Sequence, residues 1–173
     1  MLYAQSKQYL IDKLREAGIK SKPYTTEKSL AKSQESHVGA VLFESESISR
    51  NGSKTHYKDE QGAQKKRRKV FDRELSFSVI IGDYTDEAVE STFERFLAGL
   101  DRGIYVNGDF VPIEAGTADW VDKDDSILKA QVAVQVQITF GGGVYKETDF
   151  AKVSDLVIES INKDNGKEPT DGN

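Results

Sequence analysis

Cysteine is absent from the 173-residue sequence, and methionine and tryptophan occur once each. Without cysteine the chain can form neither a disulfide framework nor a thiolate metal site, and a reducing compartment is allowed. Long apolar runs are also missing, because no stretch approaches the ~20 residues that span a bilayer as a helix. We therefore exclude disulfide-rich and cysteine-zinc proteins, and we expect no membrane partner.

The N-terminal segment also lacks the features of a signal peptide. The stretch MLYAQSKQYLIDKLREAG has no basic n-region, no continuous apolar core and no small-residue cleavage site. We expect a soluble protein that is not processed at this end.

Positive charge is scarce relative to negative charge. The chain has 24 Lys and Arg against 29 Asp and Glu, a net charge of −5, and hydrophobic residues make up only 37%. Such a polar composition predicts either a long solvated segment or surface that partners cover. A domain built mainly to hold nucleic acid is more often basic overall, so any cationic site here acts locally.

Two segments have the periodicity of amphipathic helices. Residues 3–17 precede Gly18, which suits the left-handed position after a helix. The segment TDEAVESTFERFLAGLDR has Thr85 or Asp86 as its N-cap, and Gly103 is predicted to follow its end. The two apolar stripes consist of Tyr3, Leu10, Leu14 and Ala17, and of Val89, Phe93, Phe96, Leu97 and Leu100.

Two strands are predicted before the second of these helices. Residues 37–45 form a near-continuous apolar run, which indicates burial on both faces of a sheet. Residues 69–82 alternate instead, so one face is apolar and the other polar. The apolar face consists of Phe71, Leu75, Phe77, Val79 and Ile81, and the polar face consists of Asp72, Glu74, Ser76 and Ser78.

After that helix, residues 103–116 read as a small hairpin. Asn107-Gly108 is typical of a type I′ turn, which needs positive φ at both central residues. Pro112 lacks an N–H group and therefore predicts that its strand lies at a sheet edge. Residues 118–126, ADWVDKDDS, are predicted to form a polar bend.

The C-terminal third begins with a regular strand over residues 127–140, in which valines, an isoleucine and a phenylalanine alternate with polar residues. The three glycines at 141–143 are predicted to break it. A last helix is predicted to begin at Thr148 or Asp149, with Phe150, Val153, Val157 and Ile161 on its apolar side. Residues 163–173 read as a disordered tail.

A long polar connection, residues 46–68, joins the first two strands. Structureless loops of this length are uncommon in compact domains, so we consider either a functional loop or an extended β-hairpin arm. The order of elements predicts an α+β fold with an antiparallel or mixed sheet, helices on one face and this polar hairpin arm. Residues 1–162 are predicted to form one domain.

No catalytic constellation is present, so we expect neither an enzyme nor a cofactor. His37 and His56 have no accompanying residues at ligand or acid-base spacing. Asp122, Asp124 and Asp125 are the one candidate set of metal ligands, but they lack the glycine and the distant glutamate of a calcium loop. A solvated turn before a strand is the alternative interpretation of these three residues.

The most unusual local feature is a run of five cations, KKRRK, followed by an alternating strand. We consider the run a candidate contact for an acidic partner surface or for DNA phosphates, and a solvated strand extension is the alternative. The full set of candidate contact residues comprises Lys65, Lys66, Arg67, Arg68 and Lys69, together with Arg50, Lys54 and Lys58.

The order and spacing of four features resemble those of the phage tail terminator family, also called tail completion or minor tail proteins. The features are the helix SKQYLIDKLREAG; the strand VGAVLFESESI leading through the polar connection to VFDRELSFSVIIG; the helix TDEAVESTFERFLAGL; and the bend ADWVDKDDS before LKAQVAVQVQITF. The resemblance covers about residues 4–140 and concerns architecture rather than a local signature motif.

This resemblance implies a homohexameric ring that caps the tail tube, stops its polymerisation and offers a surface for joining the head. The implied partners are further copies of the chain, the tail tube protein, a head-tail connector or stopper protein, and DNA in passage. The implied location is the neck-proximal end of the virion tail, assembled in the bacterial host cytoplasm.

Three other functions stay open on the sequence. One is a neck or head-completion protein, another is a nucleic-acid-binding module that uses residues 65–69, and the third is a metal-dependent enzyme at the Asp122 segment.

Overall fold

The computed structural model describes residues 1–33, 35–122 and 132–149. The helices are α1 (Leu2–Glu16), α2 (Glu27–Ala31) and α3 (Asp86–Ala98). The strands are β1 (Val38–Arg50), β2 (Lys54–Lys58), β3 (Gln64–Asp83), β4 (Gly103–Val106), β5 (Asp109–Asp122) and β6 (Val132–Asp149). They form one antiparallel sheet in the order β1-β3-β6-β5-β4, with β2 also beside β3. The predicted α+β class is confirmed.

Strand β3 is the centre of the sheet. It pairs with β6 along nearly its whole length, from Lys65 opposite Asp149 to Asp83 opposite Val132. On its other side, residues 71–82 of β3 pair with β1 and residues 64–68 pair with β2. β1 and β2 therefore lie end to end along the same side of β3. This 20-residue strand therefore belongs both to the part of the sheet that packs in the core and to the part that extends beyond the core.

The main core lies between the sheet and helices α1 and α3. The inward stripe predicted for β3 is confirmed over Leu75, Phe77, Val79 and Ile81, all fully buried. Phe71 of the same predicted stripe is only half-buried. The largest side chains meet at Phe77, whose ring contacts those of Tyr3, Phe43 and Phe140 edge-on or tilted.

A smaller cluster lies on the opposite face of the sheet. Leu30 of α2 packs there, so this short helix adds cover to the face that α1 and α3 do not occupy. The cluster's strand residues are Val38, Ala40, Leu42, Ile80 and Ala133. Because Val41 belongs to the main core and its neighbours to this cluster, the predicted two-sided burial of the first strand is confirmed. Ser76 and Ser78 belong to the predicted polar face but are buried, because their strand is central in the sheet.

The helix ends follow the predicted chemistry in two places and depart from it in a third. Thr85 caps α3, and its Oγ1 accepts the Ala88 backbone N–H at 3.3 Å. Gly18 has a φ of +116° after α1, as predicted. The prediction that Gly103 follows the second helix is wrong: α3 ends at Ala98, and Gly103 begins β4.

The prediction that the three glycines break the last strand is wrong. β6 continues through them to Asp149, because β3 supplies hydrogen-bonding partners along the whole segment. Glycine allows close approach here, since a Cβ on Gly142 would collide with Leu2 of α1, and one on Gly143 with the Lys69 side chain. Thr148 and Asp149 are the last two residues of β6, and the helix expected beyond them lies outside the described residues.

Two further predictions change in the same part of the sheet. Residues 118–122 belong to β5 and pair with β6, so the predicted polar bend is wrong for this part of the segment. The Asn107-Gly108 turn is confirmed, with φ of 53° and 84°. The edge strand of the hairpin is β4, whereas Pro112 lies on β5, just before its pairing with β6 starts at Ile113.

Several sequence predictions lie outside the described residues. They are residues 123–126 of the predicted bend, which include Asp124 and Asp125 of the candidate metal cluster, residues 127–131 of the predicted strand, the predicted helix over 150–162, and the tail at 163–173.

Replacing Phe77 by alanine tests the aromatic centre of the core. We expect the free energy of unfolding to fall by about 3–5 kcal/mol, because the ring is fully buried and its removal leaves a cavity. Urea unfolding followed by circular dichroism measures the change. Phe110 is 49% exposed and provides the matched control; its change to alanine costs about 1 kcal/mol or less. Equal losses in the two variants would contradict this view of the core.

Candidate interaction surface on the arm

Beyond the core the sheet continues as a three-stranded extension, which we call the arm: residues 46–58, 64–74 and 141–149. β1 is buried only from Val38 to Leu42, and every residue from Phe43 to Arg50 is exposed. The eleven arm residues of β3 extend for about 36 Å, at ~3.3 Å per residue. The extended-hairpin alternative for the polar connection is thus confirmed.

The tip of the arm is an ordered turn. Asp59 Oδ1 accepts the backbone N–H groups of Gln61 and Ala63, at 3.1 and 2.8 Å. Gly62 follows with a φ of +80°, which glycine adopts without strain. The tip is therefore closed by a local aspartate turn rather than by a flexible loop.

Between β1 and β2 the arm has a joint, where β3 also shifts its register relative to β6. The Asn51 N–H donates to the Val70 carbonyl, and the Lys69 N–H donates to the Ser53 carbonyl. Asp72 ties the joint together, because its carboxylate accepts from Asn51 Nδ2 at 2.8 Å and pairs with Lys69 Nζ at 2.6 Å. These two donors, Lys69 first, lower the pKa of Asp72 from its ordinary value.

Strand alternation divides the basic run between the two faces of the arm. Lys65 and Arg67 project to one side, and Lys66 and Arg68 project to the other. We call the first side the balanced face, defined by Tyr57, Lys65, Arg67, Lys69, Tyr145 and Glu147.

On the balanced face, Arg67 is engaged within the chain. Its guanidinium forms a bidentate pair with Asp109 at 2.7 and 2.9 Å, and lies 4.5 Å from the ring centroid of Tyr145. Glu147 Oε1 lies 3.7 Å from Arg67 Nε. The pKa of Tyr57 is raised above its ordinary value, first by desolvation and then by the negative charge of Glu147. Since Asp109 begins β5, this pair fastens the β4–β5 hairpin to the arm.

The opposite side, which we call the basic face, takes its cations from three strands. Lys54 of β2 lies opposite Arg68 of β3, which in turn lies opposite Lys146 of β6. In the next rows, His56 is opposite Lys66, and Lys58 is opposite Gln64. The basic face is defined by Lys54, Lys58, Lys66, Arg68 and Lys146. Sequence reasoning missed Lys146, because only the register of β6 against β3 brings it beside the others.

The remaining candidates are more dispersed. Arg50 stacks on Phe71, 4.5 Å from its ring centroid, and so extends the arm surface toward the core. His37 pairs with Asp83 at 2.8 Å at the base of the sheet, far along the chain from the arm. Within residues 1–33, 35–122 and 132–149, no group of three or more metal-binding side chains comes together.

Arg67 and Arg68 provide a matched pair of variants for the two faces. Arg67→Met should lower the free energy of unfolding by about 1–3 kcal/mol, because it leaves Asp109 half-buried without its charged partner. Arg68→Met changes an exposed side chain and should stay within about 0.5 kcal/mol of the parent. Chemical denaturation measures both. A double-mutant cycle of Arg67→Met with Asp109→Asn isolates the pair, and a coupling energy of zero would contradict the fastening role.

The joint predicts a specific titration. The folded-state pKa of Asp72 lies below its ordinary 3.8, so its stabilising contribution is complete above that pH and is lost as the pH falls through the folded value. Carboxyl-carbon NMR should show Lys69→Met raising this pKa toward 3.8, whereas the control Lys66→Met leaves it unchanged. An unchanged pKa in Lys69→Met would exclude the lysine as the main cause.

No protein-family model matches the chain, and no curated protein shows significant sequence similarity to it. In the described part of the chain, each helix is too short or too polar to cross a bilayer.

Proposed function

We propose that the protein is a tail terminator of a phage or phage-like particle. Its subunits form a ring that caps the tail tube, stops tube polymerisation and provides the surface for joining the head. The role is structural, and no catalytic step is part of it.

The observation that carries this proposal is the exposure of apolar side chains at opposite ends of the strand order. At one end, β1 exposes Phe43 and Ile48, at 42% and 62%. At the other end, the β4–β5 hairpin exposes Tyr105 and Phe110, at 75% and 49%. Large apolar side chains grouped at the surface indicate contact with another protein.

These two edges are unlike each other, which favours head-to-tail association. When two different surfaces of one chain bind each other, the copies form a closed ring if the rotation closes. A hexamer is the ring size that the family resemblance implies. Subunits of such a ring need little core of their own, which fits the polar composition of this chain.

The mechanism is then geometric. A ring seated on the last tube ring covers the surface that the next tube ring would need, and its far side receives the head-tail connector or stopper. The arm extends about 36 Å from the core, so it is the element suited to an inter-ring or lumen contact. The assembled protein would lie at the neck-proximal end of the tail after assembly in the host cytoplasm.

Light scattering after size exclusion tests the ring, with Ile48→Glu and Tyr105→Glu as variants of the two edges. The parent should form a closed oligomer of about six copies, alone or with tube protein. Each variant alone should be monomeric, since a buried carboxylate opposes each contact. Mixing the two should give a heterodimer, because each retains the edge that the other has lost. Lys28→Glu, a change of an exposed residue on α2 rather than on β1 or the β4–β5 hairpin, is the control.

Two outcomes would sink the proposal. One is a strict monomer both alone and with the tube protein. The other is a parent oligomer that neither edge variant disturbs. Tube protein polymerised in the presence of the ring should also give shorter tubes. Genes for head completion and tail tube on either side would distinguish a terminator from a neck protein.

A further inference from the structure

At the paired positions described for the basic face, the cations lie opposite other cations, His56 or Gln64 rather than acidic residues. The seven residues that register places there are Lys54, His56, Lys58, Gln64, Lys66, Arg68 and Lys146. None is Asp or Glu, in a chain whose net charge is −5. We propose that this face binds the phosphate backbone of double-stranded nucleic acid without sequence preference.

Spacing supports a continuous binding surface. Neighbouring strands lie about 4.8 Å apart, and alternate residues of one strand about 6.6 Å apart. The five cations therefore occupy an area of roughly 10 by 13 Å on a paired sheet. Lys54, Arg68 and Lys146 form its central row, and all three are exposed. Backbone pairing on both sides of β3 holds this row in place.

The two faces of the arm show why the basic face is the binding surface. On the balanced face, Arg67 and Lys69 are paired with the carboxylates of Asp109 and Asp72. A phosphate there would have to displace intramolecular ion pairs. On the basic face, contact with phosphate replaces mainly hydration and counterions, whose release favours binding.

Nucleic acid fits this face better than an acidic protein does. Stable protein interfaces are centred on apolar or aromatic anchors and are depleted in lysine. Here lysine supplies four of the five cations, and the arm tyrosines Tyr57 and Tyr145 belong to the balanced face. The lack of stacking rings on the basic face also disfavours single strands, which bind on aromatic side chains.

The net charge of −5 opposes the binding of a polyanion to the chain as a whole. Binding should be weak for a single copy and strongly dependent on salt. The inference does not require a ring, since one arm carries the complete face. In a ring, several arms acting on one duplex would raise the apparent affinity through effective concentration.

Fluorescence anisotropy with a labelled duplex DNA of about 30 base pairs tests the inference on the full chain, over a series of salt concentrations. If three to five phosphates are contacted, log K against log salt should have a slope of about −3 to −5. The variant Lys54→Gln/Lys66→Gln/Arg68→Gln should bind at least tenfold more weakly, with the slope reduced in size by about 2–3.

A control with the same charge change separates the face from overall charge. Lys20→Gln/Lys28→Gln/Lys32→Gln alters three exposed lysines away from the arm and should retain the parent slope. Thermal unfolding of both triple variants checks that the fold persists. Light scattering on the same samples records the oligomeric state, so a failed ring and a failed DNA contact are told apart.

Four results would overturn the inference. They are no binding to duplex DNA at low salt, equal weakening in the two triple variants, tighter binding to single strands than to duplex, and binding to poly-glutamate as tight as binding to DNA. Salt-dependent duplex binding by a strict monomer would leave the inference standing while contradicting the ring.

Discussion

The antiparallel pairing of β3 with β6 is the interaction on which the rest of the structure depends. Its inner half brings Phe77 and Phe140 together beneath the helices and so sets the main core. Its outer half continues without those helices and becomes the middle of the arm. An isolated hairpin buries little apolar surface and is at best marginally stable in water. The core half of the β3–β6 pair therefore anchors the arm half.

Because the arm is a sheet and not a loop, its side chains have fixed directions. In a flexible segment the five cations would have no fixed direction. In the arm they alternate between two faces, so Arg67 binds Asp109 and fastens the β4–β5 hairpin, while Arg68 projects from the other face. One sequence feature thus serves both the internal structure and the outer surface, and the alternation of a strand is the physical reason.

The two sheet edges expose apolar side chains, and the arm exposes a row of cations. In the two proposals, the apolar side chains at β1 and at the β4–β5 hairpin contact copies of the same chain, whereas the basic face contacts a polyanion. The proposed contacts use different surfaces and therefore do not compete. A ring would place six arms in one assembly, which connects the proposed structural role with a contact to DNA that passes through it.

Local patterns in the sequence were sufficient for the strand interior from Leu75 to Ile81, for the Thr85 cap and for the Asn107-Gly108 turn, because neighbours in sequence determine alternation, capping and turn geometry. Only the tertiary structure decided where strands end. The glycines at 141–143 and the caps expected at Thr148 or Asp149 are part of β6, since pairing with a long neighbour overrides weak local preferences.

The same holds for the interaction surface. The sequence by itself determined that cations cluster at 65–69 on a long polar connection. The register between β3 and β6, which are about 80 residues apart in sequence, decided which of these cations form ion pairs within the chain. The same register brought Lys146 into the basic face. Register is a long-range property of the folded sheet, so no local pattern specifies it.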